Sequence, residues 1–142
     1  MVAAAGLRMA DTSAWNAARN PSVIPDWERA LHASSVAICS QVQLEILFSA
    51  RSGDDYDELA KDLAILPHVA CGRAEFLRAL EVQQLLAHSA ALHHRSVKIA
   101  DLVIAAAAEH AGITVWHYDE DFDRIAKMTG QATEWIAPRG SL

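Results

Sequence analysis

The sequence predicts an α/β fold with a mainly parallel central sheet flanked by helices on both faces. Three observations carry this expectation. Short apolar or β-branched runs alternate with helical patterns along the whole chain, which is the signature of strands joined by helical crossovers. Residues 36–39, Val-Ala-Ile-Cys, form a continuous apolar run, as in a strand buried on both faces. Residues 99–111 are apolar nearly all round, with four consecutive alanines at 105–108, and such a helix belongs in the interior.

Residues 7–10 read as a first strand ending in Asp11-Thr-Ser-Ala-Trp15, where Asp11, Thr12 or Ser13 can cap a helix running toward Arg19. Residues 20–25 hold two prolines and form a loop, and Pro25 opens a helix through Ala33. After the strand at 36–39, Ser40 and Gln43 have the capping-box spacing. The helix they predict has Leu44, Leu47 and Phe48 as its apolar stripe, with Glu45 off its centre. A helix over 55–66 stops at Pro67, and residues 69–71 read as a minor strand closed by Gly72. The longest helical pattern covers 73–92, with Phe76, Leu77, Leu80, Leu85 and Leu86 as its apolar face. The apolar helix follows, opening at Asp101 and ending at Gly112, since glycine takes positive φ without a Cβ clash. Residues 113–118 are β-branched and aromatic and form a strand. Residues 119–129 form another helix, and 133–136 a last strand.

The chain of 142 residues fits one domain, 1–142, and 52% of it is apolar, enough for a sizeable core. No apolar run reaches 18 residues, and the start is too short and weakly apolar for a signal peptide. A cytoplasmic protein without membrane contact is expected. The two cysteines, Cys39 and Cys71, sit in apolar surroundings and read as buried free thiols of a reducing compartment. The seven histidines lack zinc spacing. A net charge of −6 excludes simple electrostatic binding to nucleic acid. It leaves open a site that handles phosphate through a metal ion, because the ion then supplies the local positive charge.

In open parallel sheets ligands bind beyond the carboxyl ends of the strands. Asp11 and Asp119 follow strands there. Glu45 lies about a turn and a half into the helix after the second strand, Asp101 opens the apolar helix, and Asp121 follows Asp119. Singly, each has a bland explanation as a helix cap, a first-turn acid or a solvated side chain. Together they do not. Two carboxylates 4 Å apart repel by about 4 kcal/mol at an effective dielectric near 20. A cluster of four therefore calls for a cation, and an all-oxygen donor set favours hard Mg²⁺ or Mn²⁺.

Four motifs occur in order: Asp11-Thr-Ser-Ala-Trp15; Val42-Gln-Leu-Glu45; His94-Arg-Ser-Val-Lys-Ile-Ala-Asp-Leu-Val-Ile-Ala-Ala106; and His117-Tyr-Asp-Glu-Asp-Phe-Asp-Arg-Ile-Ala126. The chain thereby resembles the PIN-domain ribonucleases, specifically the VapC toxins of toxin–antitoxin pairs, over almost its whole length. The resemblance implies a PIN-like three-layer sandwich and an endoribonuclease using Mg²⁺ or Mn²⁺, with a metal-activated water attacking the RNA phosphodiester. It implies a catalytic quartet of Asp11, Glu45, Asp101 and Asp119, and metal ligands Asp11, Asp101, Asp119 and Asp121, the last a supporting carboxylate. Thr12 and Ser13 match a hydroxyl position that orients a carboxylate or a metal-bound water. Expected partners are an RNA substrate (tRNA or rRNA), a second copy of the chain in a homodimer, and a VapB-type antitoxin in a hetero-oligomer. That antitoxin commonly places an arginine in the acidic pocket.

One departure from the family is Lys98-Ile-Ala before Asp101, where relatives carry a proline-rich lead-in. Arg95, Lys98 and Arg19 are the cations expected to meet RNA. Trp15, Trp27 and Tyr118 are candidates for base stacking, with core packing favoured for them. Two other readings remain. One is a non-catalytic Mg²⁺-binding module of receiver type, disfavoured because Ala10 stands where a second acid is needed. The other is a PIN-type nuclease acting on DNA.

Overall fold

In a computed structural model, which describes residues 6–89 and 93–142, strands and helices alternate as expected. The order is β1 (Arg8–Ala10), α1 (Thr12–Ala17), α2 (Ile24–His32), β2 (Val36–Ala37), α3 (Ser40–Phe48) and α4 (Gly53–Ala64). Then follow α5 (Arg73–Ser89), a 3-10 turn (His93–Arg95), α6 (Ile99–Ala111), β3 (Thr114–His117), α7 (Asp121–Thr129) and β4 (Thr133–Trp135). The strands lie in the order β2-β1-β3-β4 and every pairing is parallel. Met9 faces Ala37 on one side and Val115 on the other, and Trp116 faces Glu134.

Side chains alternate across a strand, so neighbouring residues enter different cores. Met9, Ala37 and Val115 join the larger core, with Leu86, Val103, Ile104 and Phe122. Ala10, Val36 and Trp116 join the smaller one, with Ala14, Val23 and Trp27 of α1 and α2. The sheet is therefore covered on both faces, as the fold class requires. Trp27 stacks on Trp116 at a centroid distance of 5.5 Å and meets Trp15 edge-on at 4.8 Å, which places both tryptophans in this packing.

The apolar stretch around Asp101 is the buried helix α6: Asp101 through Ala108 are all buried. Burying Leu102, Val103 and Ile104 contributes roughly 1.5–3 kcal/mol each, which works against the desolvation of one carboxylate in the same helix. The alanines let α5 come close. Gly112 ends the helix in the left-handed region at φ 69°, its N–H bonded back to Ala108 and Glu109. No helix among the described residues is long and apolar enough to cross a membrane.

Several expectations need correction. The stripe of α3 is not Leu44, Leu47 and Phe48: Leu44 is 64% and Phe48 91% exposed, while Val42 and Leu47 are buried. A helix apolar on more than one side leaves the choice of face to its tertiary neighbours. The same holds for α5, which buries Ala79, Val82 and Leu86 and exposes Phe76, Leu77, Leu80 and Leu85. Ala79, Val82 and Leu86 share the larger core with the alanines of α6. The last residues expected in that helix, 90–92, lie outside the described ones. Ser40 does not cap α3; the cap position is Cys39, with no side-chain bond. Residues 69–71 form no strand, only a bridge between Ile38 and His68 with two backbone hydrogen bonds. Pro67 cannot donate to a ladder there, and Gly72 is already committed to Glu75 at the start of α5.

Candidate active site

β1 and β3 are adjacent and parallel, so the residues that leave their carboxyl ends emerge side by side. Asp11 leaves β1 and caps α1: its Oδ1 accepts the Ala14 N–H at 3.0 Å. Ser13 Oγ donates to the same carboxylate, 2.7 Å from Oδ1 and 2.9 Å from Oδ2, and accepts the N–H of Tyr118 at 2.8 Å. One hydroxyl thus ties the β1 acid to the loop after β3. Asp11 is only 2% exposed. Burial pushes its pKa up to about 6, against the hydrogen bonds from Ser13 and Ala14, and the charge of Asp119 adds to the rise.

Asp101, in the first turn of α6, Asp119 and Asp121 each offer an oxygen within 4.8 Å of the others. Burial holds the Asp101 carboxyl well above its ordinary range; a hydrogen bond shared with Asp121 and the charges of Asp11 and Asp119 raise it further, and Lys98 opposes them. Asp121 moves the other way. Its burial is outweighed by hydrogen bonds from the Lys98 backbone, Asp101 and the Lys98 ammonium. Asp119 Oδ1 accepts the Asp121 N–H at 2.9 Å, which fixes the turn that presents both acids. Arg124 donates to Asp121 Oδ1 at 3.0 Å from the α7 side.

Lys98 enters this cluster. Its Nζ lies 2.6 Å from Asp119 Oδ2, 3.0 Å from Asp121 Oδ2 and 3.4 Å from Asp101 Oδ2. The ammonium expected to meet RNA from the surface is instead turned into the acidic pocket. Arg95 and Arg19 are exposed, as substrate contacts need to be.

Glu45 is not brought into this group of three. It is half-buried on α3, and with Thr12 it lines a groove of about 740 Å³ that Arg19 and Arg51 also line. Glu45 Oε1 and Thr12 Oγ1 are both buried without hydrogen-bond partners among the described residues. Thr12 follows Asp11 directly, so this groove borders the acidic pocket.

One residue escaped the sequence analysis. His117 is fully buried at the end of β3, and its Nδ1 accepts the N–H of Asp119 at 3.1 Å. Burial lowers its pKa and favours the neutral ring, which carries its proton on Nε2, without a partner among the described residues. Its only sequence signal is a histidine at an inward position of an apolar strand.

These residues fit a hard divalent cation. The donors are all carboxylate oxygens. Among the described residues Asp101 Oδ2 is buried without a hydrogen-bond partner, its contact with Lys98 being a 3.4 Å ion pair only. Buried polar atoms are almost always satisfied, so a carboxylate oxygen without a hydrogen bond, on a residue clustered with two further carboxylates, marks a place for a cation.

The fold and site together define a class: a parallel α/β domain with an acidic pocket at the carboxyl edge of its sheet. Comparison with known proteins places it more closely. The model of the PIN domain matches residues 8–128. Ribonuclease VapC18 of Mycobacterium tuberculosis is 59% identical over 132 residues, covering 93% of this chain and 96% of that protein. Ribonuclease VapC51 of the same organism is 39% identical over 132 residues, covering 93% and 94%. Among solved structures, the DNA-bound VapBC complex of Salmonella typhimurium superposes with a TM-score of 0.69 at 22% identity, covering 92% of this chain and 99% of that one. VapBC-5 of Mycobacterium tuberculosis gives 0.60 at 23% identity, covering 92% and 98%. The chain belongs to the PIN-domain family, in its VapC branch.

Proposed function

We propose that the chain is a metal-dependent endoribonuclease and the toxin of a toxin–antitoxin pair. The observation that carries this reading is the convergence of Asp101, Asp119 and Asp121 on one point, with the buried Asp11 close enough for its charge to raise Asp101. Its relatives at 59% and 39% identity are named ribonucleases. Asp11, Asp101 and Asp119 would hold Mg²⁺ or Mn²⁺, with Asp121 supporting them from the start of α7. Such an ion supplies Lewis acidity toward a phosphodiester oxygen and a nucleophile at neutral pH.

The protein's own groups do the rest. Ser13 fixes the Asp11 carboxylate, and His117 fixes the backbone of Asp119. Glu45 faces the bordering groove with an unpartnered oxygen, where it would orient the substrate backbone or take a proton. Arg19 and Arg95 would contact RNA phosphates, tRNA or rRNA being the substrate class, in the cytoplasm.

A VapB-type antitoxin is the proposed partner, because the solved neighbours are VapBC complexes. An arginine from it would pair bidentately with the pocket carboxylates. A homodimer is the proposed assembly, and the exposed Phe76, Leu80 and Ile99 along a shallow apolar groove are its candidate contact. The receiver-type alternative lacks support in the geometry, since Lys98 caps a helix instead of closing a strand end. The test is sequencing of RNA ends after induced expression in growing cells. New 5′ ends at a recurring RNA site, absent with Asp101→Asn, are expected; identical end profiles for the two proteins would contradict the proposal.

A further inference from the structure

We propose that Lys98 is a built-in counter-cation that occupies the acidic pocket in the metal-free protein and must be displaced by the divalent ion. The proposal rests on the reading that the pocket takes such an ion. Lys98 Nζ lies within 3.4 Å of an oxygen from each of Asp101, Asp119 and Asp121, the same three carboxylates whose oxygens converge on one point. A lysine ammonium is a compact point charge, so it neutralises a cluster in the manner of a small ion. The two cations therefore claim one place.

The local structure suits exchange. Lys98 is the cap residue of α6 with extended backbone, and its own N–H donates to Asp121 Oδ2 at 3.0 Å. That backbone bond anchors the residue whether or not the side chain is in the pocket. The side chain is 62% exposed, so it reaches the carboxylates from the solvent side and can swing out without disturbing the core. Arg124 is not in the same position. It touches only Asp121 of the three and is held at the same time by Glu120. The consequence is a weaker resting affinity for the ion and a metal-free pocket that does not fly apart.

Two measurements test this. Mn²⁺ binding by calorimetry is compared between the wild type, Lys98→Met and the charge-retaining Lys98→Arg. Removal of a mutually exclusive cation should tighten Mn²⁺ binding by about 5- to 150-fold in Lys98→Met, with Lys98→Arg near the wild type. Lys98→Met should also melt lower than the wild type in chelator and recover on adding Mn²⁺. Independently, the chain has three lysines, Lys61, Lys98 and Lys127, so reductive ¹³C-methylation labels these three beside the α-amino group, and Lys98→Arg assigns the Lys98 signal. Addition of Mg²⁺ should move the Lys98 signal toward that of a free side chain. Equal or weaker Mn²⁺ binding by Lys98→Met, or a Lys98 signal unmoved by saturating Mg²⁺, overturns the proposal alone. No binding by any of the three proteins overturns the metal reading and the proposal with it.

Discussion

The Ser13 hydroxyl donates to both oxygens of the Asp11 carboxylate, at 2.7 and 2.9 Å, while its own oxygen accepts the N–H of Tyr118 at 2.8 Å. A side chain of two heavy atoms thereby sets the orientation of one acid and ties two strand ends together. Ser13→Ala should keep the fold and lower cleavage, or the affinity for Mn²⁺, by about 10- to 100-fold, as outer partners of metal ligands generally do. Single-turnover cleavage across a Mn²⁺ titration measures both. Wild-type rates and affinity in Ser13→Ala would mean that Asp11 needs no such support.

The elevated pKa of Asp11 makes a thermodynamic prediction. Folding raises it from 3.8 to about 6, so the fold holds that proton more tightly than the unfolded chain does. The sign follows: ionised Asp11 opposes folding, and the cost develops as pH rises from about 4 through 6 and is complete above. A shift of about two units corresponds to roughly 3 kcal/mol. Asp11→Asn does not titrate and can still accept from Ala14 and Ser13. Its stability relative to the wild type, measured by denaturant unfolding in chelator, should therefore increase by about 3 kcal/mol between pH 4 and pH 7.5. His117 and Asp121 titrate in both proteins and cancel from the difference, while loss of the Asp11 charge also eases ionisation of Asp101, which acts in the same direction. A difference that stays flat with pH would refute the assignment.

Asp101→Asn should follow the same logic and raise the melting temperature of the metal-free protein at neutral pH, since burial and three neighbouring acids all disfavour its charged form. Calorimetry in chelator reads this directly. A lower melting temperature for the variant would mean that the ion pair with Lys98 outweighs the burial and repulsion.

Trp27 separates core from substrate contact. It is buried between Trp15 and Trp116, so Trp27→Ala should cost about 3–5 kcal/mol of unfolding free energy in urea. Unchanged stability with weakened RNA binding would return Trp27 to the list of base-stacking residues.

The alternation of strands and helices, the buried α6 and its glycine stop were legible because hydrophobic run length and glycine punctuation are local signals. The convergence of Asp101, Asp119 and Asp121 was legible because acids placed after a strand end and at the start of an apolar helix conflict with local energetics. The exposed faces of α3 and α5 were not. Leu44 and Phe48 obey helical spacing as well as Val42 and Leu47 do, and only the neighbouring helices select between them. The ion pairs of Lys98 were not legible for a similar reason: a flexible charged side chain carries no directional signal, and the three carboxylates it meets come from α6 and from the segment after β3. His117 was missed because a lone histidine in an apolar strand resembles any core residue until its backbone partner is known.

The most direct measurement is cleavage of an end-labelled RNA by the purified chain, stripped with chelator and then given Mn²⁺, beside a folded Asp101→Asn variant. The expected result is no product in chelator, discrete products on adding Mn²⁺, and none from the variant. Equal cleavage in chelator, or by Asp101→Asn with its fold verified, would contradict a metal-bearing acidic pocket as the source of activity.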